Sequence, residues 1–166
     1  MKFDNISGDE YFMSIALLSS LRSKDGNTKV GACIVSDDHK VLSLGYNGMP
    51  LGVSDEEIPW AGSKENKPYL ETKYPYVCHA ELNAMLNSGG SNLEGCKVYV
   101  ALFPCNECAK AIIQSGIKEV IYISDKYRNT DSVRASKRMF DAAGVKYTKL
   151  EMKRDKLVID FSENSI

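Results

Sequence analysis

Residues Lys97 to Ile123 read KVYVALFPCNECAKAIIQSGIKEVIYI. The stretch changes its period twice. Lys97–Leu102 is a short apolar run rich in Val and Tyr, which predicts a strand. Pro104–Gln114 has helical spacing, opens on a proline and is closed by Gly116. Glu119–Ile123 is a second strand. Strand, helix and strand in this order predict an α/β sandwich around one central sheet.

The flanks extend the same pattern. Downstream, Ser132–Ala143 predicts a helix stopped by Gly144, Val145–Leu150 a strand, and Leu157–Phe161 a further strand. Upstream, Ser7-Gly8-Asp9-Glu10 is a capping box before a helix running from Tyr11 through Leu21 and ending near Lys24-Asp25-Gly26. Val30–Val35 and Val41–Tyr46, parted by the polar Ser36-Asp37-Asp38-His39, predict a β-hairpin. Gly48 to Tyr76 holds no period and is punctuated by Pro and Gly; a loop of this length in a compact domain is often functional. Cys78–Leu86 is helical and stops at Gly89-Gly90. No repeat or boundary divides residues 1–166, so a single domain is expected.

Composition narrows the function classes. The chain has 166 residues, 43% hydrophobic and 26% charged, with a formal net charge of -1. No apolar run approaches the roughly 18 residues that span a bilayer, and the N-terminus lacks a secretion pattern. An intracellular, cytoplasmic protein without a membrane or nucleic-acid partner is expected, since duplex-binding domains carry a basic excess. The five cysteines are an odd number for a disulfide framework in a reducing compartment.

The chemistry concentrates in two short runs, His79-Ala80-Glu81 and Pro104-Cys105-Asn106-Glu107-Cys108. His79, Cys105 and Cys108 offer one nitrogen and two sulfurs, ligands suited to Zn2+. Three protein ligands leave one position for water, the arrangement of a catalytic rather than a structural zinc site. Cys105 and Cys108, three apart on a helix, share a face. A helix N-terminus lowers the cost of thiolate. Glu81, two residues past His79, points away from the histidine and suits proton transfer beside the metal rather than ligation. His-x-Glu followed by Pro-Cys-x-x-Cys is the zinc-deaminase signature. Cys33, Cys78 and Cys96 lie on or beside apolar elements and are expected to pack.

At this point the sequence resembles the deoxycytidylate deaminases of the cytidine deaminase superfamily, the eukaryotic members above all. The matching runs are Val30–Val35, Gly45–Pro50, Tyr74–Ala84, Tyr99–Lys110 and Ser124–Tyr127. The resemblance implies a cytidine-deaminase-like three-layer α/β/α sandwich around a mixed sheet. It implies hydrolysis of dCMP to dUMP and ammonia for dTTP synthesis, with zinc on His79, Cys105 and Cys108 and Glu81 as proton shuttle. It further implies a homohexamer, activated by dCTP with Mg2+ and inhibited by dTTP.

The candidates for contacts to substrate or effector are Asn47, Arg22, Ser23, Lys24, Ala80 and Tyr127. Arg22, Ser23 and Lys24 form a basic cluster suited to a phosphate. Tyr127 follows a strand end, where α/β sheets bind ligands. Two rival readings are a cytidine or transfer-RNA adenosine deaminase of the same superfamily, and a non-catalytic zinc-stabilised module.

Overall fold

The computed structural model describes residues 5–62 and 65–162, so positions 1–4, 63–64 and 163–166 of the expected 1–166 domain lie outside it. The elements are α1 (Gly8–Ser20), β1 (Gly31–Val35), β2 (Val41–Tyr46), α2 (Ala80–Leu86), β3 (Lys97–Leu102), α3 (Asn106–Gln114), β4 (Glu119–Ser124), α4 (Asp131–Ala143) and β5 (Lys146–Lys149). The strands form one mixed sheet in the order β2-β1-β3-β4-β5. β1 runs antiparallel to β2 and β3, while β3, β4 and β5 run parallel.

Helices cover both faces, which is why all five residues of β1 are buried. On one face α1 packs Phe12, Met13 and Ala16 against Cys33, Val35, Tyr99 and Ile121. On the other, α2, α3 and α4 cover Ala32, Ile34, Val98, Val100, Val120 and Tyr122. The alternation of Tyr99 and Ile121 with their neighbours is the strand period of two, read out on two separate cores. The three-layer α/β/α sandwich is thereby the observed fold.

The start of α1 is the predicted capping box. Ser7 Oγ accepts from the Glu10 amide at 3.2 Å and Glu10 Oε2 accepts from the Ser7 amide at 3.0 Å. Glu10 Oε1 also accepts from the Lys153 amide at 3.0 Å. That bond pins the chain beyond β5 to the α1 side of the sheet. The strand expected over Leu157–Phe161 is therefore not formed: these residues have no ladder, and Val158 and Phe161 are 75% and 91% exposed. The apolar run Leu157-Val158-Ile159 is there, but tertiary placement denied it a sheet edge. No described helix is long and apolar enough to cross a membrane.

Two glycines set how closely helices approach the sheet. A Cβ on Gly45 would meet the backbone of α2, at 2.2 Å from Ala80 O and 2.3 Å from Ala84 N. Ser43, Tyr46 and Leu44 then bond directly to α2, through Ser43 Oγ to Ala84 O, Asn83 Nδ2 to Tyr46 O and Asn87 Nδ2 to Leu44 O. Gly31 gives α1 the same proximity. Gly45→Ala is expected to cost about 2–3 kcal/mol through overpacking, lowering Tm by roughly 5–10 °C for a chain of this size. Gly26→Ala, where nothing lies within 4 Å, should shift Tm by no more than about 1–2 °C. Thermal unfolding of the two variants checks this.

Candidate active site

Two helix starts meet at the cluster. His79 is the N-cap residue of α2, and Cys105 that of α3, each in extended backbone. Both helices therefore begin slightly later than the spacing suggested, and Cys105 precedes the helix on which Cys108 lies. The consequence is favourable: neither cap side chain is taken up by its own helix start, and the two meet each other. The reciprocal bonds of Asn106 with Ser132 tie the α3 start to α4, at 3.2 Å from the Asn106 amide and 2.7 Å from Ser132 Oγ to Asn106 Oδ1.

Cys105 Sγ and Cys108 Sγ each lie 3.4 Å from His79 Nδ1. The three ligand atoms lie within 4.8 Å of one another. Tetrahedral zinc with bonds of about 2.1 Å to nitrogen and 2.3 Å to sulfur sets N···S at about 3.6 Å, so the set needs only small adjustment to hold the ion. Its own electrostatics favour a cation. The Cys108 thiol donates to Cys105, and His79 adds a second hydrogen bond, so that Cys105 is lowered to about 4 despite its burial. Cys108, which keeps the shared proton and is desolvated, is pushed up. The Cys105 thiolate in turn raises His79 to about 8.

Glu81 is 5% exposed and lies outside the donor cluster. Burial raises its carboxyl above the usual carboxylate range, opposed in part by the charge of His79. Glu81, Ala80, His79 and Cys105 line one cleft of about 430 Å³ together with Asn47 and Tyr127. Ala80 is fully buried, whereas Tyr127 is half exposed at the rim. The structure therefore brings together Asn47, Ala80, Tyr127, Glu81 and the metal donors. Arg22, Ser23 and Lys24 are not among the described residues that line this cleft. Arg22 is exposed, Ser23 Oγ accepts from the Asp25 amide at 3.2 Å, and Lys24 is ion-paired with Asp55.

Sequence reading missed two charged residues in the cleft wall. Asp25 and Lys73 are 1% and 6% exposed and form an ion pair with each other. Burial would push the Asp25 carboxyl up, but hydrogen bonds from Lys73 and from the Asn27 and Thr28 amides hold it below its ordinary value. Asp25 had looked like a helix-end residue, and Lys73 sits at the end of the aperiodic loop, where no pattern marks it. That loop is closed at its base by paired backbone bonds between Gly48 and Cys78, of 3.1 and 2.8 Å, and it returns Lys73, Tyr74 and Val77 to the cleft. Cys33 and Cys96 are buried, as expected of packing residues, and Cys33 is pushed up to about 12 by desolvation.

The comparisons agree with this geometry. The family described as "Cytidine and deoxycytidylate deaminase zinc-binding region" matches residues 6–124. Deoxycytidylate deaminase of Homo sapiens is 56% identical over 158 residues, covering 95% of this chain and 88% of that protein. Probable deoxycytidylate deaminase of Drosophila melanogaster is 52% identical over 157 residues, covering 92% and 77%. Among solved structures, dCMP deaminase of the cyanophage S-TIM5 in complex with dCMP and dUMP superposes with a TM-score of 0.67 at 29% identity, covering 85% of this chain and 95% of that one. By sequence and by fold, the chain belongs to the deoxycytidylate deaminases of the cytidine and deoxycytidylate deaminase family.

Proposed function

We propose that the protein hydrolyses dCMP to dUMP and ammonia. One observation carries the reading: His79 and Cys105 of a His/Cys/Cys donor set and a buried carboxylic acid line one cleft of nucleotide size. His79, Cys105 and Cys108 would hold zinc. Zinc held there supplies a Lewis acid that brings the pKa of a water molecule to about 7. Glu81 accepts a proton from the attacking water and delivers it to ring N3, which makes C4 electrophilic. Oxygen adds at C4, and Glu81 then carries the proton of the new C4 hydroxyl to the exocyclic nitrogen. The C4–N bond breaks and ammonia leaves. Ala80, which is buried, and Val77 line the cleft with Glu81 and give the substrate base an apolar wall.

The names of the human and cyanophage relatives support dCMP as substrate, and the cyanophage protein is seen with dCMP and dUMP. Asn47 and Tyr127 would contact the nucleotide, and Arg22 with its neighbours would serve the phosphate from outside the cleft. Activation by dCTP with Mg2+, inhibition by dTTP, assembly as a homohexamer and a cytoplasmic setting follow from the family resemblance. The reading treats residues 1–166 as one deaminase domain.

Assays of the zinc-loaded protein with dCMP, cytidine and an RNA stem-loop, run side by side, test the proposal. Release of ammonia from dCMP with kcat/KM at least 100-fold above the other two is expected, within the span that a site built for one polar group can discriminate. Turnover of cytidine or RNA with none of dCMP would overturn it.

A further inference from the structure

The buried Asp25–Lys73 pair has no role in the chemistry above, yet it sits in the wall of the cleft. A buried ion pair is weak evidence of stability alone, because desolvation offsets the attraction. Its partners show what else it does. Asp25 Oδ1 accepts from the Asn27 amide at 2.8 Å and the Thr28 amide at 3.2 Å. Asp25 Oδ2 accepts from Asn47 Nδ2 at 3.1 Å and from Lys73 Nζ. All four acceptor positions of the carboxylate are thereby used.

Asn47 is as fully constrained. Its Nδ2 donates to Asp25 Oδ2 and, at 3.0 Å, to Thr28 O. Its Oδ1 accepts from the Val30 amide at 2.8 Å. These partners fix which end of the amide is which. The Val30 amide can only donate, whereas a carboxylate and a carbonyl can only accept. Both Asn47 protons point into the wall. What remains for a ligand is one lone pair on Oδ1.

Resting on the dCMP reading, we infer that Asp25 and Lys73 are positioning residues. Their ion pair locks the Asn47 amide so that it meets the substrate only as an acceptor, from a hydroxyl or N–H. Lys73 links this lock to the long loop. Its amide donates to Ala61 O, and its carbonyl accepts from the Tyr76 and Val77 amides just before His79. An amide at position 25 would put an N–H₂ against at least one of the donors the carboxylate now receives. Asn47 would then lose the partner that sets its orientation.

The test is a double-mutant cycle on the zinc-loaded protein, read as KM for dCMP and as dUMP affinity by calorimetry. Asp25→Asn and Asn47→Ala are each expected to raise KM about tenfold, the size of one lost hydrogen bond in binding. Because one residue acts through the other, the double variant should also stay near tenfold rather than reach about 100-fold. dUMP affinity should follow the same pattern. Multiplying effects, or an Asp25→Asn variant with KM within twofold of the parent, would overturn the inference. If Asp25→Asn does not fold, Lys73→Met takes its place in the same cycle, with the same non-additivity expected and the same outcomes overturning it. A parent enzyme inert toward dCMP would instead sink the deaminase reading, before any variant is compared.

Discussion

Glu81→Gln is expected to leave a folded, zinc-loaded protein whose kcat for dCMP has fallen by about 10³-fold or more. The change is isosteric and lies outside the donor cluster of His79, Cys105 and Cys108, so metal content should stay near one ion per chain. What disappears is the only group proposed to take and return protons at the reacting centre. Positioned acid–base groups contribute about 10²–10⁴-fold each time they act, and Glu81 acts on N3 and again on the leaving nitrogen. Removing its charge also relieves a desolvated carboxyl, since burial already raises it, so Tm should not fall and a small rise would fit. Steady-state kinetics with metal analysis of the same sample decide the matter. Parental turnover by a zinc-loaded Glu81→Gln protein would remove Glu81 from the mechanism.

Cys105→Ala is expected to abolish both zinc and activity, a loss of at least about 10³-fold. Two donors cannot close a tetrahedral site with the affinity of three. The substitution also removes the thiolate that prepares the cluster: Cys105 is lowered to about 4 by the Cys108 thiol and by His79, and His79 is raised to about 8 by Cys105. Without that sulfur the remaining imidazole and thiol lose their charge partner. Chelation of the parent protein should reproduce the loss, and added zinc should restore turnover to the parent but not to Cys105→Ala. Cys33→Ala, which changes only packing beneath α1, should keep its zinc. The pair Glu81→Gln and Cys105→Ala thus separates proton transfer from metal binding, because both lose activity and only one loses the ion. A fully active protein without metal would contradict the site as drawn.

Much of the fold was legible because it rests on short-range rules. The Ser7–Glu10 capping box, the glycine stop at Gly144 and the short apolar runs of β3 and β4 each report local hydrogen bonding or burial. The apolar run over Leu157–Phe161 shows the limit of that logic. An apolar run requires a free sheet edge to become a strand, and the bond from Lys153 to Glu10 carries the chain elsewhere. The Arg22–Lys24 cluster shows the same limit for charge. A run of three such residues does not reveal that Lys24 is matched by Asp55, 31 residues away.

The sequence by itself determined the donor set and the acid, since nitrogen, sulfur and carboxylate chemistry is carried by residue type and spacing of a few positions. It also determined the alternation of strands and helices. Only the tertiary structure decided which distant polar residues share the cleft. Asn47 meets Asp25 across 22 residues, and Asp25 meets Lys73 across 48. Periodicity encodes which face a side chain takes, whereas these meetings depend on how an aperiodic loop is closed against a finished sheet.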